Sequence, residues 1–123
     1  MAADSPGVVE EFRSFLVDLV ENSKPLITKL TRSADKNKDH AREIIGVIKE
    51  QTTKSPGNQK LLMMYLIDSI IKEVGDCYIR GFPKSIIKTF CYTFERVDDK
   101  TRKKLYELRL TWKESFLDLG YIT

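Results

Sequence analysis

The stretch KLLMMYLIDSIIKEVG, residues 60–75, decides how this chain folds. From Leu61 to Val74 its apolar residues fall on almost every side of a helix, the pattern of a helix enclosed by others rather than laid on a surface. Two polar residues, Asp68 and Ser69, stand in its middle. A carboxylate sealed in a core costs several kcal/mol unless it is paired, so Asp68 either finds a partner or opens onto a ligand. Tyr65, Asp68, Ser69 and Lys72 are spaced i, i+3, i+4 and i+7, which sets them along one narrow stripe. A helix that is core on its other faces and polar along one stripe predicts a groove. The competing reading is local: Asp68 and Lys72 form an exposed i,i+4 pair worth a few tenths of a kcal/mol. Spacing alone does not separate the two.

Outward from this helix the pattern is helical in both directions. Before it, DSPGVVEEFRSFLVDLVEN offers Ser5 as cap and Pro6 in the first turn, with Val9, Phe12, Phe15, Leu16, Leu19 and Val20 at helical spacing. A short turn, Asn22 to Lys24, then leads to a helix capped by Ser23, with Pro25 in its first turn and Ile27, Leu30 and Ala34 on one face. KDHAREIIGVIKEQTTK buries Ile44, Ile45 and Ile48 and ends at SPGN, residues 55–58. After the central helix, which Gly75 stops, DCYIRGF makes a short helical turn. Pro83 opens a helix with Ile86, Ile87, Phe90, Cys91 and Phe94 inward. Asp98 or Asp99 caps the next helix, whose buried stripe is Leu105, Leu108 and Trp112. LDLGYIT then forms a short final helix or a strapped tail. About seven to eight helices joined by loops of about two to six residues imply an all-α, right-handed superhelical stack. The chain reads as one domain, 1–123, with its core over about 8–116 and terminal segments at 1–6 and 117–123.

Composition favours binding over chemistry. With 41% hydrophobic and 32% charged residues, the chain resembles an ordinary globular domain. A net charge of +3 suits an acidic or phosphorylated partner but is too small to argue for duplex nucleic acid. His40, the one histidine, lies in the charged run DKNKDHARE and reads as a solvated helix-start residue. The glycines are scattered singly, so no phosphate loop or dinucleotide fingerprint is present. Cys77 and Cys91 match no metal spacing and are expected to be reduced and packed. Adjacent acids such as Asp98 and Asp99 suit helix starts better than acid/base work. The expectation is a non-enzymatic module without metal, cofactor, membrane span or signal peptide.

Three segments together carry a family resemblance: NSKPLITKLTRSA (22–34), YLIDSIIKEVG (65–75) and VDDKTRKKLYELRLTW (97–112). In this order and spacing the chain resembles the CTD-interacting domain, over roughly residues 8–116. Within that family it is similar to the branch found in factors of mRNA cleavage and transcription termination. The resemblance implies eight helices in a right-handed superhelix. It also implies a nuclear module whose ligand is the C-terminal tail of RNA polymerase II's largest subunit, heptads YSPTSPS phosphorylated on the second residue. Contacts with other cleavage-factor subunits are expected of regions outside this chain, and the domain itself is expected to be monomeric.

Carried over position by position, Asp68 matches the family's aspartate that accepts a hydrogen bond from the ligand tyrosine hydroxyl, and Ser69 follows it. Tyr65 matches the helix that supplies the groove wall. Asn22, Ser23 and Lys24 match the turn that lines one end of the groove with polar and basic residues. Two departures stand out. Glu73 replaces an Asn common among relatives. Glu107 stands where several relatives have an arginine that grips the phosphate, and Arg109, about 200° further round the helix, is no direct substitute. Lys24, Lys72, Arg102 and Arg109 remain as sources of positive charge, so phosphate discrimination is expected to be modest. Two other classes compete: a VHS- or ENTH-like trafficking adaptor that binds sorting peptides or phosphoinositides, and weak RNA binding through TRKK (101–104). The acids Asp4, Glu10 and Glu11 argue against a membrane-binding first helix, and Asp98 and Asp99 beside TRKK argue for a solvated, capped helix.

Overall fold

The computed structural model describes residues 5–75 and 77–118, which form seven α-helices and one 3-10 turn, with no strand among them. In chain order these are α1 (Ser5–Leu16), α2 (Lys24–Lys36), the 3-10 turn (Lys38–His40), α3 (Ala41–Lys54), α4 (Gly57–Glu73), α5 (Cys77–Gly81), α6 (Pro83–Glu95) and α7 (Asp99–Asp118). The fold is all-α. Helix α4 is central: it packs against α2, α3, α5, α6 and α7, and Leu61 to Met64, Leu66, Ile67, Ile70 and Ile71 are buried. None of the helices is long and apolar enough to cross a membrane, among the described residues.

The boundaries follow local chemistry. The Ser23 hydroxyl accepts from the Leu26 N–H at 3.3 Å, and Pro25 follows in the first turn of α2. Of the two candidates for the α7 cap, Asp98 takes the role, accepting from the Thr101 N–H at 2.8 Å. The Thr101 side chain first, and this backbone bond second, hold the Asp98 carboxyl below the usual carboxylate range. Gly75 stops α4 in the left-handed region, at φ 65°, with its N–H on the Ile70 carbonyl at 3.1 Å.

Four expectations are corrected. Helix α1 ends at Leu16 instead of continuing through Val20. The chain tightens there, Asp18 N–H bonding Phe15 O and Leu19 N–H bonding Leu16 O, so Leu19 folds back into the core while Val17 and Val20 face solvent. The connection to α2 therefore spans residues 17–23, longer than the short turn expected. Cys91 is exposed rather than inward, because it lies about 100° round α6 from Phe90, away from the buried Ile86, Thr89 and Thr93. Cys77 is half-buried, and both thiols are free. At the C-terminus α7 runs on to Asp118, so no separate element starts at Leu117, and residues 119–123 lie outside the described residues.

Lys60, the first residue of the deciding stretch, is only 4% exposed. Its ammonium donates to the carbonyls of Thr52 at 2.8 Å, Thr53 at 3.2 Å and Ser55. These belong to the last turn of α3 and the residue after it, carbonyls with no partner inside their own helix, so a side chain from α4 caps α3. Burial, and secondarily the charge of Arg96, pushes the Lys60 ammonium below the usual lysine range.

The buried stripe of α6 holds one unbalanced group. Thr93 is fully buried, and its hydroxyl has no hydrogen-bond partner among the described residues. Thr93→Val keeps the shape and removes the stranded hydroxyl, so it is expected to stabilise the fold by about 1 kcal/mol. Urea unfolding measures this, and a lower midpoint in the variant would show that the hydroxyl is satisfied in solution.

Candidate functional site

Asp68 projects from α4 with its side chain 20% exposed. Its Oδ1 accepts from the indole Nε1–H of Trp112 on α7 at 3.0 Å and forms an ion pair with the Lys72 ammonium, one turn further along α4, at 2.9 Å. Among the described residues Oδ2 has no hydrogen bond. The Lys72 pair expected from spacing is thus present, yet it does not use up the carboxylate. Trp112 itself is buried and stands edge-on to Phe90 of α6, with centroids 6.1 Å apart and planes at 71°.

Ser69 faces the other way. Its Oγ lies 2.7 Å from Oγ1 of the buried Thr31 on α2, and 3.3 Å from a carboxylate oxygen of Glu73. Thr31 Oγ1 also donates to the Ile27 carbonyl at 2.7 Å and Ser69 Oγ to the Glu73 carboxylate, so two hydroxyl protons are shared among three contacts. These contacts join α4 through Thr31 to α2. Asp68 ties α4 to α7 and Ser69 ties it to α2, so the polar stripe lies between those two helices. Tyr65, half-buried against the core, sits one turn earlier on the same stripe.

At the start of α2, Asn22 and Lys24 are exposed and Ser23 is occupied as cap. Lys24 also lines a shallow depression with Pro25, Thr28, Lys29 and Arg32, which gives that end of α2 a positive surface. Lys29 stacks its ammonium over the Phe15 ring at 3.7 Å. Arg109 lies elsewhere. It lines a depression between α6 and α7 with Phe90, Cys91, Phe94, Glu95 and Tyr106, on the α6 side of α7. Arg102 is turned to the same side, its guanidinium donating to the Phe94 carbonyl at 2.7 Å. Neither arginine bonds Asp68, and Glu107 is exposed.

The profile of the CID domain matches residues 10–117 of the sequence. The chain belongs to the CID family. It is 35% identical over 112 residues to Protein PCF11 of Saccharomyces cerevisiae, a match that takes in 91% of this chain and 18% of that protein. It is 37% identical over 113 residues to the polyadenylation and cleavage factor homolog 11 of Caenorhabditis elegans, covering 90% of this chain and 14% of the relative. The chain thus spans less than a fifth of the length of these relatives. Among solved structures it is similar to one described as the crystal structure of the rpr of pcf11, with a TM-score of 0.83 at 36% identity, covering 85% of this chain and 79% of the other.

Two residues that build the site in this CID were not singled out as site residues from sequence. Periodicity places Trp112 in the core, where it is, but its indole N–H is also the donor to a carboxylate 44 positions away. Thr31 lies beside Leu30 on the apolar face of α2, so helical periodicity alone could have shown that its hydroxyl faces inward.

Proposed function

We propose that this CID binds the C-terminal heptad-repeat tail of the largest subunit of RNA polymerase II and favours repeats phosphorylated on the second-position serine. In this reading it is a nuclear, non-catalytic module that couples termination to pre-mRNA 3′-end processing. Other cleavage-factor subunits engage regions outside this chain. The observation that carries the reading is the state of Asp68: a partly exposed carboxylate on α4 beside α7, with Oδ1 bonded and Oδ2 without a hydrogen bond among the described residues. A tyrosine hydroxyl is a donor of matching kind. The relatives, named for polyadenylation and cleavage and for regulation of nuclear pre-mRNA, support the setting.

Phosphate preference follows from charge rather than from a clamp. Lys24, Lys29 and Arg32 create a positive field at one end of α2, while the Lys72 charge is already shared with Asp68. Attraction of this kind is long-ranged, weak and screened by salt. A short ordered stretch of a disordered tail binds weakly at one site, and tandem repeats raise the effective concentration.

Titrating the domain with unphosphorylated, second-serine-phosphorylated and fifth-serine-phosphorylated heptad peptides, read by amide chemical shifts, tests this. The second-serine phosphopeptide is expected to bind best, by a few-fold, with an advantage that shrinks as salt rises. Equal affinity for all three, or tighter binding to phosphoinositide vesicles than to any peptide, would overturn the reading.

A further inference from the structure

Two donors converge on one oxygen of Asp68, and they differ in rigidity. Lys72 reaches Oδ1 from the same helix with a flexible side chain that is 44% exposed. Trp112 reaches it from another helix with a ring that is only 4% exposed and is backed by Phe90. A partly exposed carboxylate held by an exposed lysine alone can turn about its χ angles and offer either oxygen. A buried indole N–H removes that freedom. With Oδ1 fixed toward α7, the planar carboxylate can present only Oδ2 to the groove.

We propose that Trp112 is a positioning residue for ligand recognition: its indole N–H, 3.0 Å from Asp68 Oδ1, pre-orients the carboxylate so that the free oxygen receives the ligand hydroxyl. This rests on the reading of Asp68 as the acceptor for that hydroxyl. The gain lies in preorganisation, since an acceptor already aimed spends less freedom when the ligand arrives. Buried as it is, the ring reaches the ligand only through Asp68.

The test uses two heptad peptides, one with its tyrosine and one with phenylalanine in its place, and two proteins, wild type and Trp112→Phe. The variant keeps an aromatic ring in the core and loses the N–H. Wild type is expected to favour the tyrosine peptide, and Trp112→Phe to lose about three- to tenfold in affinity for that peptide while binding the phenylalanine peptide as before. A merely structural role for Trp112 would weaken both peptides alike. Full retention of the tyrosine preference in the variant, or equal loss on both peptides, overturns the inference alone. Absence of any tyrosine preference in the wild type overturns the Asp68 reading and the inference with it. Trp112 is the only tryptophan in the chain, so its indole resonance gives a second readout that needs no variant. The tyrosine peptide is expected to shift that resonance more than the phenylalanine peptide does, and equal or absent shifts while α4 amides respond would count against the proposal.

Discussion

Replacing Lys60 by methionine is expected to lower the stability of the fold by about 2–4 kcal/mol. The ammonium donates to three carbonyls at the end of α3, and methionine matches its length but donates nothing. Each hydrogen bond to a charged group contributes about 1.5–3 kcal/mol, and a carbonyl left buried without a donor costs about 1–3 kcal/mol. The full sum is not expected, because the substitution also relieves the burial of an uncompensated charge, the effect that already pushes this lysine's pKa down. Apolar burial of the methionine chain offsets a little more. The net remains unfavourable because three acceptors are stranded while only one charge is relieved. Urea unfolding followed by circular dichroism checks it, and a loss under about 0.5 kcal/mol would mean that water reaches the end of α3. Lys60 is about 12 Å along α4 from Asp68, at 1.5 Å per residue, so peptide affinity of the folded variant is expected to be unchanged.

Lys60 also marks where sequence reading stops being sufficient. Periodicity located α4 and its polar stripe, because a helix that is apolar on its other faces can only be central. Cap chemistry placed the start of α2 at Ser23, named Asp98 among the candidates for α7, and ended α4 at Gly75, each through a contact within a few residues. What sequence could not show depends on contacts between segments far apart. Whether a lysine at a helix start is solvated or buried depends on which carbonyls lie opposite, and here they belong to the preceding helix. The end of α1 escaped for a related reason: Leu19 and Val20 are equally apolar, and only the tightened turn after Leu16 decides that one is buried and the other exposed. Thr31, Thr89 and Thr93 are polar by type and buried by position, so a reading that marks core by hydrophobicity passes over them. At the site, the Asp68–Lys72 pair was visible as an i,i+4 spacing, whereas the Trp112 contact, made from another helix, was not.

Asp68→Ala is expected to lower affinity for the heptad peptide by about 1.5–3 kcal/mol, roughly ten- to a hundredfold. Had the carboxylate only paired with Lys72, its removal would cost the fold a few tenths of a kcal/mol and leave binding intact. The structure changes the stability side of that comparison. Asp68 also accepts from a buried indole N–H, so the variant strands that donor and is expected to lose about a further 1 kcal/mol of stability. Stability loss alone therefore does not identify a binding residue. The decisive quantity is the coupling between the aspartate and the peptide tyrosine: changing that tyrosine to phenylalanine should weaken binding to wild type yet do little further damage in Asp68→Ala, because the double change removes one bond once. Isothermal titration of the four combinations, at peptide concentrations where the variant remains folded, measures that coupling. Additive losses would show that carboxylate and hydroxyl never meet, in which case Oδ2 faces solvent and the ligand groove of this CID lies elsewhere.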